Sequence, residues 1–357
     1  MRAASRTSIG AIVVALGLAG TVIAATMLAT AAAGHGVVTL TVPTIGTARV
    51  VDQNDVADPS ILTVGSTYYR FGTTDWMSNV PTATSTDLVH WTDLPDSLPV
   101  LPRWAAPSIS MTWAPSVVVA GNRYLMYVAT EEEASGRQCI ALATSAEPQG
   151  PYTDASSEPF LCQRALGGSI DPGVERDGRG RLHLVWKSDG NCCGLPTALW
   201  EQDLSGDGLH LVGTAHRLLS ADQAWESGNV EAPALLAAAK GWWLFYSGGD
   251  WRTASYATGI AWCSTLAGPC RDVLTHPLLA SSSTLRTPSG LSTFVDARGR
   301  AWAALTTTVL IPSSRHPGHY YANRVLDVAP LLTGAGLRLG EPDRLAVATM
   351  TTTSAVA

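Results

Sequence analysis

Ala-Asp-Pro-Ser-Ile at 57–61 and Trp-Ala-Pro-Ser-Val at 113–117 are two versions of one pattern. It returns as Ile-Asp-Pro-Gly-Val at 170–174, Val-Glu-Ala-Pro-Ala at 230–234 and Thr-Pro-Ser-Gly-Leu at 287–291. The prolines Pro59, Pro115, Pro172, Pro233 and Pro288 follow one another at steps of 56, 57, 61 and 55 residues. After each motif comes a short apolar run, a Gly-containing turn and a second run rich in aromatics. Examples are the turns at Gly65-Ser66, Gly121-Asn122, Asp177-Gly178, Lys240-Gly241 and Asp296 to Gly299. Turns of this kind between β-rich runs are hairpin signals. Several short strands in each of five repeats of this length predict an all-β chain folded as a five-bladed β-propeller. A two-sheet sandwich would show turns every 8–12 residues without the longer register.

The rest of the chain frames this core. Of 357 residues, 23 are basic and 29 acidic, a net charge of −6 that disfavours nucleic acid or an anionic membrane surface as partner. Arg2 and Arg6 precede an uncharged, apolar stretch from Thr7 to Gly34, so residues 1–34 are expected to be a signal peptide or signal anchor. Either one places the remainder outside the cytoplasm, secreted or cell-surface anchored, with membrane contact only through that anchor. Residues 35–50 look like a lead-in segment, 51–345 like the propeller and 346–357 like a C-terminal tail; nothing bears on the oligomeric state. Six cysteines suit disulfides in an exported chain. Cys139 with Cys162 and Cys263 with Cys270 are the expected pairs, while adjacent Cys192 and Cys193 are either a vicinal pair or two thiols. A zinc site is the alternative, but no CxxC pair or nearby His cluster supports it.

Three repeats carry a carboxylate beside the proline: Asp58, Asp171 and Glu231. Equivalent places in a repeat become equivalent places around the axis, so the three acids should converge at the channel mouth. One such Asp alone would read as a turn cap before a strand. Three together raise one proton affinity and leave another group ionised, which is what glycoside hydrolysis requires.

The set Asp-Pro-Ser, Trp-Ala-Pro-Ser-Val, Ser-Ile-Asp-Pro-Gly and Glu-Ala-Pro-Ala, with Ser-Thr-Asp-Leu-Val-His-Trp at 85–91, resembles glycoside hydrolase family 43 from about Asp52 to Leu332. That resemblance implies a five-bladed propeller hydrolysing arabinans, xylans and related glycans with inversion. It also implies Asp58 as general base, Glu231 as general acid and Asp171 as the group that tunes and orients the acid. Glu231 is then expected to be kept protonated by burial and its neighbours. Inversion needs room for a water, so the two carboxyl groups should stand roughly 6.5–9.5 Å apart.

Two departures from the family pattern stand out. Gly290 lies where many relatives carry a metal-holding His, so no His-bound metal and no cofactor are expected; a structural channel ion such as calcium, held by waters, is the alternative left open but not indicated. Thr306 to Leu310 replaces a His-Ala-Trp run. Trp76, Trp104, Trp113, Trp225 and Trp251 lie near motif loops and could stack on sugar rings. Trp76 and Trp113 are preferred, and Arg324 resembles an arginine near the family's channel. Trp242 and Trp243 read as strand packing. The expected partner is a polysaccharide or oligosaccharide substrate, and the expected activity that of an exported inverting glycosidase. The alternatives are a non-catalytic propeller binding glycans or proteins at the cell surface, and a related propeller acting on fructans.

Overall fold

The computed structural model describes residues 54–332 except 109–110, 284 and 313–319, together with 26–29, 38–41, 44–45 and 49–52. Most of the expected export segment at 1–34, and the tail at 346–357, lie outside the described residues. Of the former only the backbone of Thr26–Ala29 is described, paired antiparallel with Val38–Thr41. Among the described residues no helix is long and apolar enough to cross a membrane.

Five antiparallel sheets follow one another along the chain as blades. Blade I has strands Ser60–Val64, Thr67–Phe71, Thr82–Ser85 and Thr92–Leu94, in that order from the axis outward. Blade II has Thr112–Ala120, Arg123–Glu132 and Arg137–Ser145, and blade III has Ser169–Arg176, Leu182–Ser188, Ala198–Leu204 and Leu211–Ser220. Blade IV has Val230–Ala238, Gly241–Gly248, Ala257–Cys263 and Arg271–Asp272; blade V has Ser289–Val295, Ala301–Pro312 and Tyr320–Leu332. The ring closes with N-terminal chain. Arg49–Asp52 and Thr44–Ile45 both pair with the last strand of blade V, in registers such as Leu326↔Asp52 and Leu331↔Ile45.

The expected hairpins sit at the first two strands of every blade. Two of them use the same device. In Asp177-Gly-Arg-Gly-Arg181 the Asp177 carboxylate accepts the backbone N–H groups of Arg179 and Arg181 and the Arg181 side chain. Asp296 does the same for Arg298 and Arg300 in Asp296-Ala-Arg-Gly-Arg300. A short carboxylate that caps its own turn fixes the hairpin locally. Side chains alternating on each strand then fill the gaps between neighbouring blades, and the five apolar clusters are the five blade interfaces. Phe71 and Leu62 meet Met126 and Val128 between blades I and II; Tyr127 and Leu125 meet Trp186 and Leu184 between II and III. Val185 and Leu199 meet Leu244 and Tyr246, Phe245 and Trp243 meet Leu305 and Ala303, and Phe294 and Leu326 meet Ile61 and Tyr68 at the remaining three.

The axial ends of the inner strands share a backbone distortion. Asp58, Ala114, Asp171 and Ala232, each just before its proline, have φ of +47°, +46°, +53° and +49°. This left-handed region is costly for a residue with a Cβ. In blades II, III and IV the distorted residue and its proline drop out of the ladder as a bulge, which re-aims the side chains. The fifth blade corrects the sequence register. Its bulge falls on Gly290-Leu291, with Gly290 at φ +54°, two residues beyond the proline. The true equivalents of Asp58 are therefore Ala114, Asp171, Ala232 and Gly290. Glu231 stands one residue earlier, so two of the three acids, not all three, occupy the same repeat position.

The three disulfides join Cys139 to Cys162, Cys263 to Cys270 and Cys192 to Cys193. The vicinal pair is thus a bond and not two thiols, and no described cysteine is left to offer a thiolate to zinc.

Candidate active site

The bulges surround an axial cavity of about 90 Å³. Its rim is Asp58, Ala114, Asp171, Ala232 and Gly290, and below it lies a ring of Pro59, Pro115, Pro172, Pro233 and Leu291. Asp58 and Asp171 enter directly from the bulge, while Glu231, 7% exposed, is placed beside Asp171 by the neighbouring strand. The Ala232 N–H, one residue on from Glu231, donates to Asp171 Oδ2 at 2.9 Å. The expected trio does come together.

Each acid has its own setting. Thr73 Oγ1 donates to Asp58 Oδ2 at 2.8 Å and accepts the Ala114 N–H at 2.9 Å, so its hydroxyl hydrogen is committed to the carboxylate. Thr306 Oγ1, in the segment that departs from the family pattern, accepts the Asp58 N–H at 3.0 Å. Burial pushes the Asp58 carboxyl above the usual range; Arg324 and the Thr73 hydroxyl pull it back, and Glu231 and Asp55 add to the rise. Burial and then the nearby Glu231 push Asp171 up to about 8, against the pull of Lys187. Asp171 is thus the carboxyl that keeps its proton at neutral pH.

Glu231 differs from the expectation. Burial alone would raise it, but the Lys187 ammonium, 2.6 Å from Oε2, holds it below the usual carboxylate range, helped by hydrogen bonds from Tyr256 and Asn229. In the free site Glu231 is therefore the ionised member and Asp171 the protonated one. The charge at contact distance and the hydrogen bonds to Glu231 together outweigh desolvation, and no pattern of prolines and carboxylates could show it.

Lys187, Thr73, Tyr256 and Asp189 were missed in the sequence. Lys187 did leave a signal: it is the lone cation in the wholly buried strand Leu182–Ser188, in register with Ile170. A buried Lys without a partner is rare enough to prompt a search for one.

The expected sugar-binding residues divide. Trp76 is 70% exposed with φ +71°, on the loop that follows Thr73. Trp113 is half-buried, directly before the Ala114 N–H that holds Thr73. Arg324 pairs with both oxygens of Asp55, at 3.0 and 3.2 Å, and its charge reaches Asp58. Trp104 is core between blades I and II, and Trp225 stacks on Tyr246. Trp251 is exposed on the loop leading to Tyr256.

Gly290 completes the site by lacking a side chain. A Cβ there would lie 2.7 Å from Asp58 Oδ1 and 3.3 Å from Thr306 Oγ1. Gly290→Ala is expected to lower kcat about 100-fold, since a displacement of about 1 Å at a reacting group costs that much. The left-handed φ adds about 1–2 kcal/mol of instability. Steady-state kinetics with a melting curve checks both; unchanged kcat would show that Asp58 yields freely.

The comparisons agree with this architecture. The sequence profile of "Glycosyl hydrolases family 43" matches residues 47–330. An extracellular endo-α-(1→5)-L-arabinanase of Thermotoga petrophila is 33% identical over 165 residues, covering 37% of this chain and 34% of that protein. The chain thus matches only about a third of the length of that curated relative. A thermostable family-43 glycoside hydrolase superposes with a TM-score of 0.67 at 22% identity, over 81% of this chain and 95% of the other. An endo-arabinase of Bacteroides thetaiotaomicron gives 0.63 at 19% identity over 83% and 99%, and an endo-1,4-β-xylanase of the same organism 0.61 at 20% over 80% and 99%. At these identities the structures speak for the fold alone. The profile, spanning nearly the whole propeller, decides the family: the chain belongs to glycosyl hydrolase family 43, whose members hydrolyse O-glycosidic bonds with inversion.

Proposed function

We propose that this protein is an exported inverting glycosidase acting on arabinose- or xylose-containing glycans, with Asp58 as base, Glu231 as acid and Asp171 as the group that supplies and tunes the acid's proton. One observation carries the reading. Two carboxylates on the axial rim and a third beside them act on one another, and their proton affinities are driven apart, Asp171 up to about 8 and Glu231 below the ordinary range.

Asp58, oriented by Thr73, takes a proton from a water that attacks the anomeric carbon. The leaving oxygen departs on the opposite face and takes a proton from the Asp171–Glu231 pair, delivered at Glu231. Between turnovers Asp171, the stronger holder, keeps the proton, and Glu231 receives it when the approaching sugar disfavours a bare carboxylate there. Titration then belongs to the pair rather than to either residue. Exposed Trp76 and half-buried Trp113 offer aromatic faces to the C–H faces of sugar rings beside the base. The arabinan- and xylan-named relatives favour pentose glycans. Export is supported by Arg2 and Arg6 ahead of an apolar stretch and by three disulfides, which persist in oxidising compartments.

The test is incubation with linear arabinan, arabinogalactan and xylan, with product sizing and proton NMR of the first-formed anomer. Release of inverted arabinose or xylose products supports the reading. Tight glycan binding with no product would replace it by a non-catalytic propeller, and retained configuration would refute Asp58 as a base that activates water.

A further inference from the structure

Lys187 is 1% exposed, and its ammonium lies between two carboxylates on the same side of the propeller. Glu231 Oε2 is at 2.6 Å, a charge-assisted hydrogen bond across to blade IV. Asp189 Oδ1 is at 3.7 Å, an ion pair beyond hydrogen-bond reach. Among the described residues no other carboxylate is within ion-pair distance of Lys187. Asp189 begins the short Gly190–Cys193 turn with its Cys192–Cys193 disulfide, against which Arg137 packs, and the Arg137 charge reaches Asp189.

The acid step requires Glu231 to become neutral. At that moment Lys187 loses its anionic partner, and a buried ammonium without one is strongly unfavourable. Among the described residues Asp189 is then the carboxylate still within ion-pair distance of it, with the Asp171 charge acting from farther away. Protonation of Glu231 and transfer of the ammonium toward Asp189, a shift of about 1 Å to reach hydrogen-bond distance, are thus one coupled event. We propose that Lys187 is a positioning residue for the acid step: an ammonium shared between Glu231 and Asp189, whose division between the two sets how readily Glu231 carries a proton. This rests on Glu231 being the acid. Lys187 itself touches no reacting atom.

The charged and titratable groups facing this unit are known. Glu231 faces Lys187, Tyr256, Asp171 and Asp58; Lys187 faces Glu231, Asp171 and Asp189; Asp189 faces Lys187, Glu231 and Arg137. Removing the cation leaves the proton on Glu231 to higher pH. Removing the Asp189 charge commits Lys187 to Glu231 and takes away a repelling anion, so the proton leaves at lower pH.

The experiment is the pH profile of kcat/KM on a substrate with a poor leaving group, whose alkaline limb reports loss of the proton that the Asp171–Glu231 pair shares in the free enzyme. Lys187→Met should move that limb up by about one pH unit, Asp189→Asn should move it down, and Lys187→Arg, which keeps the charge, should return it close to wild type. Limbs that stay in place in both Lys187→Met and Asp189→Asn, with activity falling equally at every pH, would overturn the proposal. Should Lys187→Met fail to fold, the direction of the Asp189→Asn limb decides alone. Glu231→Gln distinguishes failure of the underlying reading: if it cleaves the same substrate normally, Glu231 is not the acid.

Discussion

Asp58→Asn is expected to lower kcat at least 1000-fold, within the roughly 10²–10⁴ that a positioned base contributes plus the loss of directed attack, and to leave the fold as stable as before or more so. The amide has the shape of the carboxylate and still accepts from Thr73 Oγ1, so the local contacts survive. It cannot accept the proton of the attacking water. The stability prediction follows from the direction in which burial moves Asp58. Its proton affinity is higher folded than unfolded. Between the two values the native state binds more protons than the unfolded chain, so stability falls as pH rises through that window. Above the ordinary carboxylate range the buried Asp58 therefore costs stability, and Asn removes that cost. Melting curves should show the variant equal to or above wild type at pH 7, with the difference shrinking on acidification toward the ordinary carboxylate range. Activity within tenfold of wild type would remove Asp58 from the base position, and a large fall in Tm would make it a structural residue.

That combination, a group that harms the fold yet remains at its centre, explains which parts of the molecule could be read from the chain. The repeat was legible because each inner strand needs the same bulge, and a proline after a left-handed residue leaves a visible mark at 59, 115, 172 and 233. Blade V misleads for a physical reason. Thr287 before Pro288 adopts the same left-handed turn at φ +46°, but the bulge itself is made three residues later by Gly290, which needs no proline to reach φ +54°. A proline-based register therefore lands early. Asp58 and Asp171 were legible as axial residues because they sit in the bulge. Glu231 was legible only as a near neighbour, since Ala232 holds the equivalent place. Lys187 was not, because its meaning depends on a contact 44 residues away across a blade interface, and in its own strand it looks like an exception in an apolar run. The closing strand was equally hidden. Nothing in Arg49–Asp52 by itself shows that it pairs with Leu326 to Val328 at the far end of the chain.

Glu231→Gln should produce a loss whose size depends on the leaving group. With arabinan, or an aryl glycoside of a poorly acidic phenol, the departing oxygen needs its proton, and kcat should fall about 100- to 10,000-fold, the range for a general acid. With a strongly acidic phenol as leaving group the oxygen departs unaided, and activity should return to within about tenfold of wild type, because Asp58 and its water are untouched. The same substitution frees Lys187 from its 2.6 Å partner and leaves it to Asp189 at 3.7 Å, so a stability loss is expected, in contrast to Asp58→Asn. Breaking one side of a buried ion pair typically costs about 3–5 kcal/mol. The retained amide, still able to accept from Lys187, should keep the loss toward the lower end of that range. The two carboxylates thus predict opposite signatures. The base variant is inactive on every leaving group and no less stable, whereas the acid variant is selectively inactive and weakened. A Glu231→Gln enzyme equally impaired on both leaving groups would mean that this carboxylate shapes the site without giving up a proton, and would shift the acid to Asp171, the group that holds its proton to about pH 8.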